Sequence, residues 1–249
     1  MPRKRRSFLD YSCYHITHRC HDREFMLKFQ KDRDKYFEFL REANKRFRIS
    51  ILDYMITSNH IHILVWAGKG EQISKAMQFV QGSFGQYYNK KHGRQGAFWR
   101  DRYHPTRIQS GEHLGRCLFY IDLNMLRARA VSNLEDWKHT ALHEFLGNKK
   151  RYCVIDKKRL VKCLKAGTFE NFQAWYKKTL MNKVELNYHA RQVFWSKSFA
   201  VGAQTWLQDI YRREKFKRKK IILRTFDNRE TYDNVYEAKE SQAVYFIEG

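Results

Sequence analysis

The chain has 249 residues, of which 49 are Lys or Arg and 26 are Asp or Glu, giving a formal net charge of +23. So large an excess calls for a polyanionic partner, and nucleic acid is the commonest of these. Hydrophobic residues at 43% and aromatics at 16%, with only 2 Pro and 12 Gly, exclude wholesale disorder and collagen-like or low-complexity chains.

In chain order, the first segment, Met1-Pro2-Arg3-Lys4-Arg5-Arg6, is basic but is followed by no apolar run, so it does not read as a secretory signal. Apolar period 2 predicts a strand over Tyr11 to Arg19, and period 3.6 predicts a helix over Asp32 to Arg48 carrying Tyr36, Phe39, Leu40, Ala43 and Phe47. Ile49 to Thr57 and His60 to Trp66 read as two strands joined by the turn Thr57-Ser58-Asn59. Glu71 to Lys91 reads as a long helix, and Ala97 to Ile108 as an extended, aromatic-rich stretch in which Pro105 forbids helix. A further helix is expected from Gly111 to Arg129 with Ser110 as N-cap. The order βαββαβ then α defines an α+β fold, a ferredoxin-like antiparallel sheet with one extra helix.

Beyond residue 150 the chain turns helical and stays basic, with helices expected over Asp156 to Lys165, Thr168 to Met181 and Ala203 to Lys219. The basic run Lys215 to Lys220, directly after Arg212 and Arg213, would close the last helix and grip phosphates without sequence preference. Residues 225–249 show no strong period and read as an extended or partly disordered tail. The expected division is therefore a domain at 1–149, a helical basic unit at 150–224 and a tail at 225–249. No apolar stretch approaches the ~20 residues of a membrane-spanning helix, so no membrane partner is expected. The five cysteines, Cys13, Cys20, Cys117, Cys153 and Cys163, are scattered without CxxC spacing, which argues against a disulfide framework or zinc ribbon. A cytoplasmic location with reduced thiols is the expectation.

Two short patterns bear on chemistry. In His60-Ile61-His62-Ile63-Leu64-Val65 the alternation of a strand puts both imidazoles on one face. That suits a shared metal, although ordinary strand histidines give the same pattern. On the helix after Ser110, Leu114, Leu118, Ile121 and Met125 form one stripe, while Arg116, Tyr120, Asn124 and Arg127 form another. The second stripe is either a reactive surface or an amphipathic edge with a packed tyrosine. Along the extended stretch, Arg100, Arg102 and Arg107 alternate with Trp99, Tyr103 and His104, a composition that holds phosphates and stacks unpaired bases.

Taken in order, His60-Ile-His62, Gly96-Ala-Phe98-Trp99-Arg100-Asp-Arg102-Tyr103 and Tyr120-Ile-Asp-Leu-Asn124 resemble the single-tyrosine transposases of the HUH nuclease superfamily. More narrowly, they resemble the REP-associated tyrosine transposases. The resemblance spans about residues 8–147 and includes Tyr14-His15-Ile16-Thr17-x-Arg19; Phe194-Trp195-Ser196-x-Ser198-Phe199-Ala200-Val201-Gly202 resembles a segment of longer members with a C-terminal extension. The chain departs from the family pattern at Ser58-Asn59, where Pro-Asn is usual, and at Asn124-Met125-Leu126-Arg127-Ala128, where Asn-Pro-Val-Arg-Ala is usual. Without that proline the helix is expected to run on past Asn124.

The resemblance implies that Tyr120 attacks a phosphodiester of single-stranded DNA, leaving a 5′-phosphotyrosine and a free 3′-hydroxyl, and that the reverse step rejoins strands. A tyrosine of free pKa ~10 needs activation for this. By the same resemblance His60, His62 and Asn124 hold Mg²⁺ or Mn²⁺, the substrate forms a REP-like hairpin, and the enzyme acts as a monomer, with a dimer as the alternative. Candidate DNA contacts are Arg3, Lys4, Arg5, Arg6, His15, Arg19, Trp99, Arg100, Arg102, Tyr103, Arg107, Arg116, Arg127, Arg212, Arg213, Lys215, Lys217 and Arg218. The rival reading is a domesticated descendant that binds nucleic acid without cutting it.

Overall fold

The computed structural model describes residues 8–186, 192–214, 219–225 and 234–240. The candidate contacts Arg3, Lys4, Arg5, Arg6, Lys215, Lys217 and Arg218 lie outside these residues. The chain builds β1 (Ser12–Arg19), α1 (Gln30–Phe47), β2 (Ser50–Ile56), β3 (His60–Ala67), α2 (Gly70–Lys91) and β4 (His104–Ile108), in the expected order. Strands β2, β3, β1 and β4 lie side by side in that order, and each neighbouring pair is antiparallel. This is the ferredoxin-like arrangement, with β1 at its centre.

Helices α1 and α2 cover one face of the sheet, where Tyr36, Leu40 and Ala43 of α1 are fully buried as their spacing requires. Their contact is aromatic, Tyr36 meeting Phe84 edge-on at 5.2 Å, and on the same face Trp99, ahead of β4, stacks on His18 of β1 at 4.1 Å. Helix α2 begins at Gly70, one residue before the expected start. Its N–H donates to Asp10 Oδ1 at 2.8 Å, and a Cβ there would lie 1.9 Å from the Phe8 carbonyl oxygen, so only glycine fits. Of the extended stretch 97–108 only β4 is a strand, with Trp99 forming an isolated bridge to Cys20.

The opposite face is covered by α3 (Glu112–Asp122), α4 (Asn124–Arg127), α5 (Leu142–Phe145), α6 (Lys157–Leu164) and α7 (Phe169–Glu185). Two expectations for α3 are corrected. Its N-cap is Gly111 at φ 86°, not Ser110, because the entering chain turns through a left-handed conformation that glycine adopts freely while the Gly111 N–H donates to Cys163 O at 2.8 Å. The helix also does not run through to Arg129: it stops at Asp122, and Leu123, at ψ 3°, separates it from α4. The side chains of Asp156 and Thr168 cap α6 and α7 by accepting from the N–H groups of Arg159 and Asn171.

The last elements are β5 (Ala200–Gly202), α8 (Gln204–Glu214), β6 (Lys219–Thr225) and β7 (Asn234–Glu240). They extend the sheet to seven strands in the order β2-β3-β1-β4-β5-β7-β6, with β5 parallel to β4 and β7 antiparallel to both of its neighbours. Of the helix expected over Ala203 to Lys219 the structure describes Gln204–Glu214, Lys219 already belongs to β6, and part of the expected extended or partly disordered tail is the strand β7. Ile221-Ile222-Leu223 suits a strand. Among the described residues no helix is long and apolar enough to cross a membrane.

Candidate active site

His60 and His62 project from β3 toward the α3 face, where His15 of β1 lies diagonally across the ladder, opposite Leu64. The His15 and His62 rings stack with centroids 5.0 Å apart, and His15 Nε2 is 2.8 Å from His62 Nδ1. His60 sits at the start of β3, its ring 4.8 Å from that of His62. The turn residues fix it: His60 Nδ1 is 2.6 Å from Asn59 Oδ1 and 2.9 Å from Thr57 Oγ1. The Thr57 hydroxyl itself donates to the His60 carbonyl at 2.8 Å. An amide oxygen only accepts, so Nδ1 of His60 carries a proton, which in a neutral ring leaves the lone pair on Nε2.

Tyr120 and Asn124 reach the same spot from above. The Tyr120 ring stands edge-on to both His15 and His62 at 6.0 Å, and Asn124 Nδ2 lies 3.1 Å from His62 Nε2. The break at Leu123 gives Asn124 its own position at the start of α4. Arg127 secures that break: its guanidinium donates to the Tyr120 carbonyl at 3.1 Å and lies over the Tyr120 ring at 4.5 Å. Arg116, at the other end of the stripe, is ion-paired with Glu112 one turn back.

The site is largely closed to solvent. His62 is 1% exposed, His15 0%, Tyr120 7% and Asn124 8%. Burial pushes His15 down to about 4, against the Trp195 carbonyl bond that would raise it. His62 is held well below its ordinary value, first by burial and then by the charges of His60, His15, Arg19 and Arg127. Both are therefore neutral imidazoles near pH 7, the form that binds a metal.

Of the remaining candidates, His15 is corrected: a fully buried imidazole bonded to protein on both nitrogens is no phosphate contact in this fold. Arg19 stands opposite His60 in the β1–β3 ladder. Arg100 and Arg102 are exposed. Trp99 is half-buried, donating Nε1–H to Gln81 O at 3.1 Å, and Tyr103 stacks near Phe8 at 6.3 Å. Arg107 lies over the Trp206 ring at 5.3 Å, Arg213 pairs with Asp209, and Arg212 is exposed. Sequence reasoning missed Trp195. Its carbonyl accepts from His15 Nδ1 at 2.7 Å and its ring is 6.3 Å from that of Tyr120, although it lies far along the chain in a segment with no chemical motif of its own.

A second buried cluster lies behind α3. Tyr176 of α7 and Thr140 donate to Asp122, at 2.5 and 3.0 Å. Burial still pushes Asp122 up to about 7. Asp53 of β2 is also fully buried, and burial together with Asp122 and Glu144 holds its carboxyl well above the usual range.

Residues His60, His62 and Asn124 offer two imidazole nitrogens and one amide, a donor set that suits a divalent cation. Among the described residues no group of three or more His, Cys, Asp or Glu is arranged to hold one. Residues 10–123, from just before β1 to just after the end of α3, match the family described as transposase IS200 like. The match includes His60, His62 and Tyr120 and ends one residue before Asn124. No curated protein matches. Among solved structures, the chain resembles a REP-associated tyrosine transposase bound to a REP hairpin, with 15% identity and TM-score 0.51, over 59% of this chain and 86% of that one. A candidate transposase from Deinococcus radiodurans R1 is similar at 15% identity and TM-score 0.34, over 45% of this chain and 89% of that one. The first of these is a likeness of fold.

Proposed function

We propose that this chain is a REP-associated-type tyrosine transposase that cuts and rejoins single-stranded DNA at hairpin-forming repeats. The observation that carries the reading is the convergence of Tyr120, His60, His62 and Asn124, drawn from the strand β3 and from the two helices on either side of the break at Leu123, on one largely buried spot. In the proposed step the Tyr120 phenol oxygen forms a bond to phosphorus and the bond from phosphorus to the 3′-oxygen breaks. The phenol loses its proton, and the departing 3′-oxygen gains one. Arg127 holds the Tyr120 ring in place and sets a positive charge beside it. Mg²⁺ or Mn²⁺ held by His60, His62 and Asn124 would polarise a non-bridging oxygen and offset charge in the transition state. Imidazole donors favour manganese, while magnesium prefers oxygen.

The exposed Arg100 and Arg102, and Arg19 beside His60, supply cations around the site, and the hairpin in the structural relative suggests what they would hold. Incubation of the chain with labelled single-stranded hairpin DNAs and either metal, beside Tyr120→Phe, tests the reading. A metal-dependent covalent adduct is expected for the unmodified chain alone. Tight binding by both proteins with no adduct under either metal would replace strand transfer with the binding-only reading.

A further inference from the structure

Building on that reading of the site, we propose that His15 is a positioning residue that fixes the tautomer of His62. It would do so through the Trp195 carbonyl, so that the C-terminal extension completes a metal site whose ligands all lie before residue 125. The argument is one of donors and acceptors. The Trp195 carbonyl can only accept, so the His15 nitrogen 2.7 Å away, Nδ1, carries a proton. The Asn124 Nδ2 group donates to His62 Nε2 at 3.1 Å, so the proton between the two rings, 2.8 Å apart, belongs to His62 Nδ1 and His15 Nε2 accepts it. His62 is left with its lone pair on Nε2, the nitrogen that faces Asn124 at 3.1 Å.

Each link is shielded and anchored. His15, His62 and Trp195 are at most 1% exposed, so water cannot replace a lost partner. Trp195 is tied to its own turn by Nε1–H donation to Gln192 Oε1 at 2.7 Å. The segment is tied to β4 where Thr106 Oγ1 donates to Ser198 O at 2.8 Å. The stacked geometry of His15 and His62, 14° from parallel, keeps both rings in one orientation. His60 reaches the same tautomer independently through Asn59. Two histidines from one strand thus present Nε2 for separate local reasons, and a ligating imidazole commonly donates its other N–H to a fixed acceptor in this way.

The test is a long-range proton–nitrogen spectrum of the full chain with labelled histidine at pH 7.5 without metal, followed by titration with Mn²⁺. His62 is expected to be protonated on Nδ1 only. In His15→Phe that tautomer should be lost and Mn²⁺ affinity should fall by about 10- to 100-fold. His15→Gln, whose carboxamide can donate to Trp195 O and accept from His62, should restore both. This keeps the test decisive if the Phe variant folds poorly. A His62 protonated on Nε2 in the unmodified chain, or Mn²⁺ binding as tight in His15→Phe as in the unmodified chain, overturns the assignment. Failure to form a Tyr120 adduct while the tautomer and metal results hold would count against strand transfer and leave the His15 assignment standing.

Discussion

Asp53 gives the sharpest physical prediction. Both of its carboxyl oxygens are buried without a hydrogen-bond partner, on a residue that is 0% exposed. Burial is the larger cause of its raised pKa, and the neighbouring Asp122 and Glu144 raise it further where they are ionised. An unpaired carboxylate in such a place is costly, so the folded chain holds Asp53 as the neutral acid. Its folded-state pKa is raised above the 3.8 of the free group. From about pH 4 upward the unfolded chain releases this proton and the folded chain keeps it, so Asp53 contributes stability at low pH that is lost as pH rises. The loss is about 1.4 kcal/mol for each pH unit inside that window. Asp53→Asn removes the titration, and urea unfolding of both proteins at pH 5.0 and 6.0 reads the effect. The variant's stability relative to the unmodified chain should improve by about 1.4 kcal/mol between the two pH values. A difference that stays constant or moves the other way would refute the reasoning.

Three further outcomes are expected. Tyr176→Phe deletes the hydroxyl that donates to Asp122 at 2.5 Å; it should cost about 1.5–3 kcal/mol above pH 7, where Asp122 is ionised, and less at pH 5.5, measured by urea unfolding. Gly70→Ala drives a methyl group into the Phe8 carbonyl and should lower stability by about 1–3 kcal/mol in thermal or urea unfolding, with the clash relieved only by moving residues 8–10. Arg127→Ala removes both the bond to the Tyr120 carbonyl and the cation over the ring, so adduct formation with hairpin DNA should slow by about 100-fold, while Arg127→Lys, which keeps charge without the planar fork, should recover only part.

The fold of the first half was legible because its signals are local. Tyr36, Leu40 and Ala43 repeat at helical spacing, and the apolar residues of β3 alternate with its histidines. The pairing of His60 and His62 with Tyr120 and Asn124 followed from strand and helix period plus the resemblance. What the sequence hid depends on long-range register. The stop of α3 at Asp122 has no proline or glycine to announce it; it is held by Arg127 from the next turn and by Tyr176 from α7. His15 reads from the sequence as a DNA contact, and only the arrival of Trp195, 180 positions away, turns it into a buried partner of His62. The strands β6 and β7 were obscured by a run of lysines and a tail rich in polar residues, because pairing partners rather than composition make them strands.

The strand β5 also changes what the sheet can do with another molecule. In the four-stranded unit, β4 would be an outer strand whose backbone donors and acceptors invite a partner. Here Arg107 and Gln109 spend their N–H groups on the carbonyls of Phe199 and Val201. On the far side, β2 is bridged by Ile155 and Thr140. Among the described residues, both margins of that unit are thus occupied by the chain itself. Two copies could merge their sheets across β4 only by first peeling away the segment that carries Trp195, so association of that kind and an intact site would exclude one another.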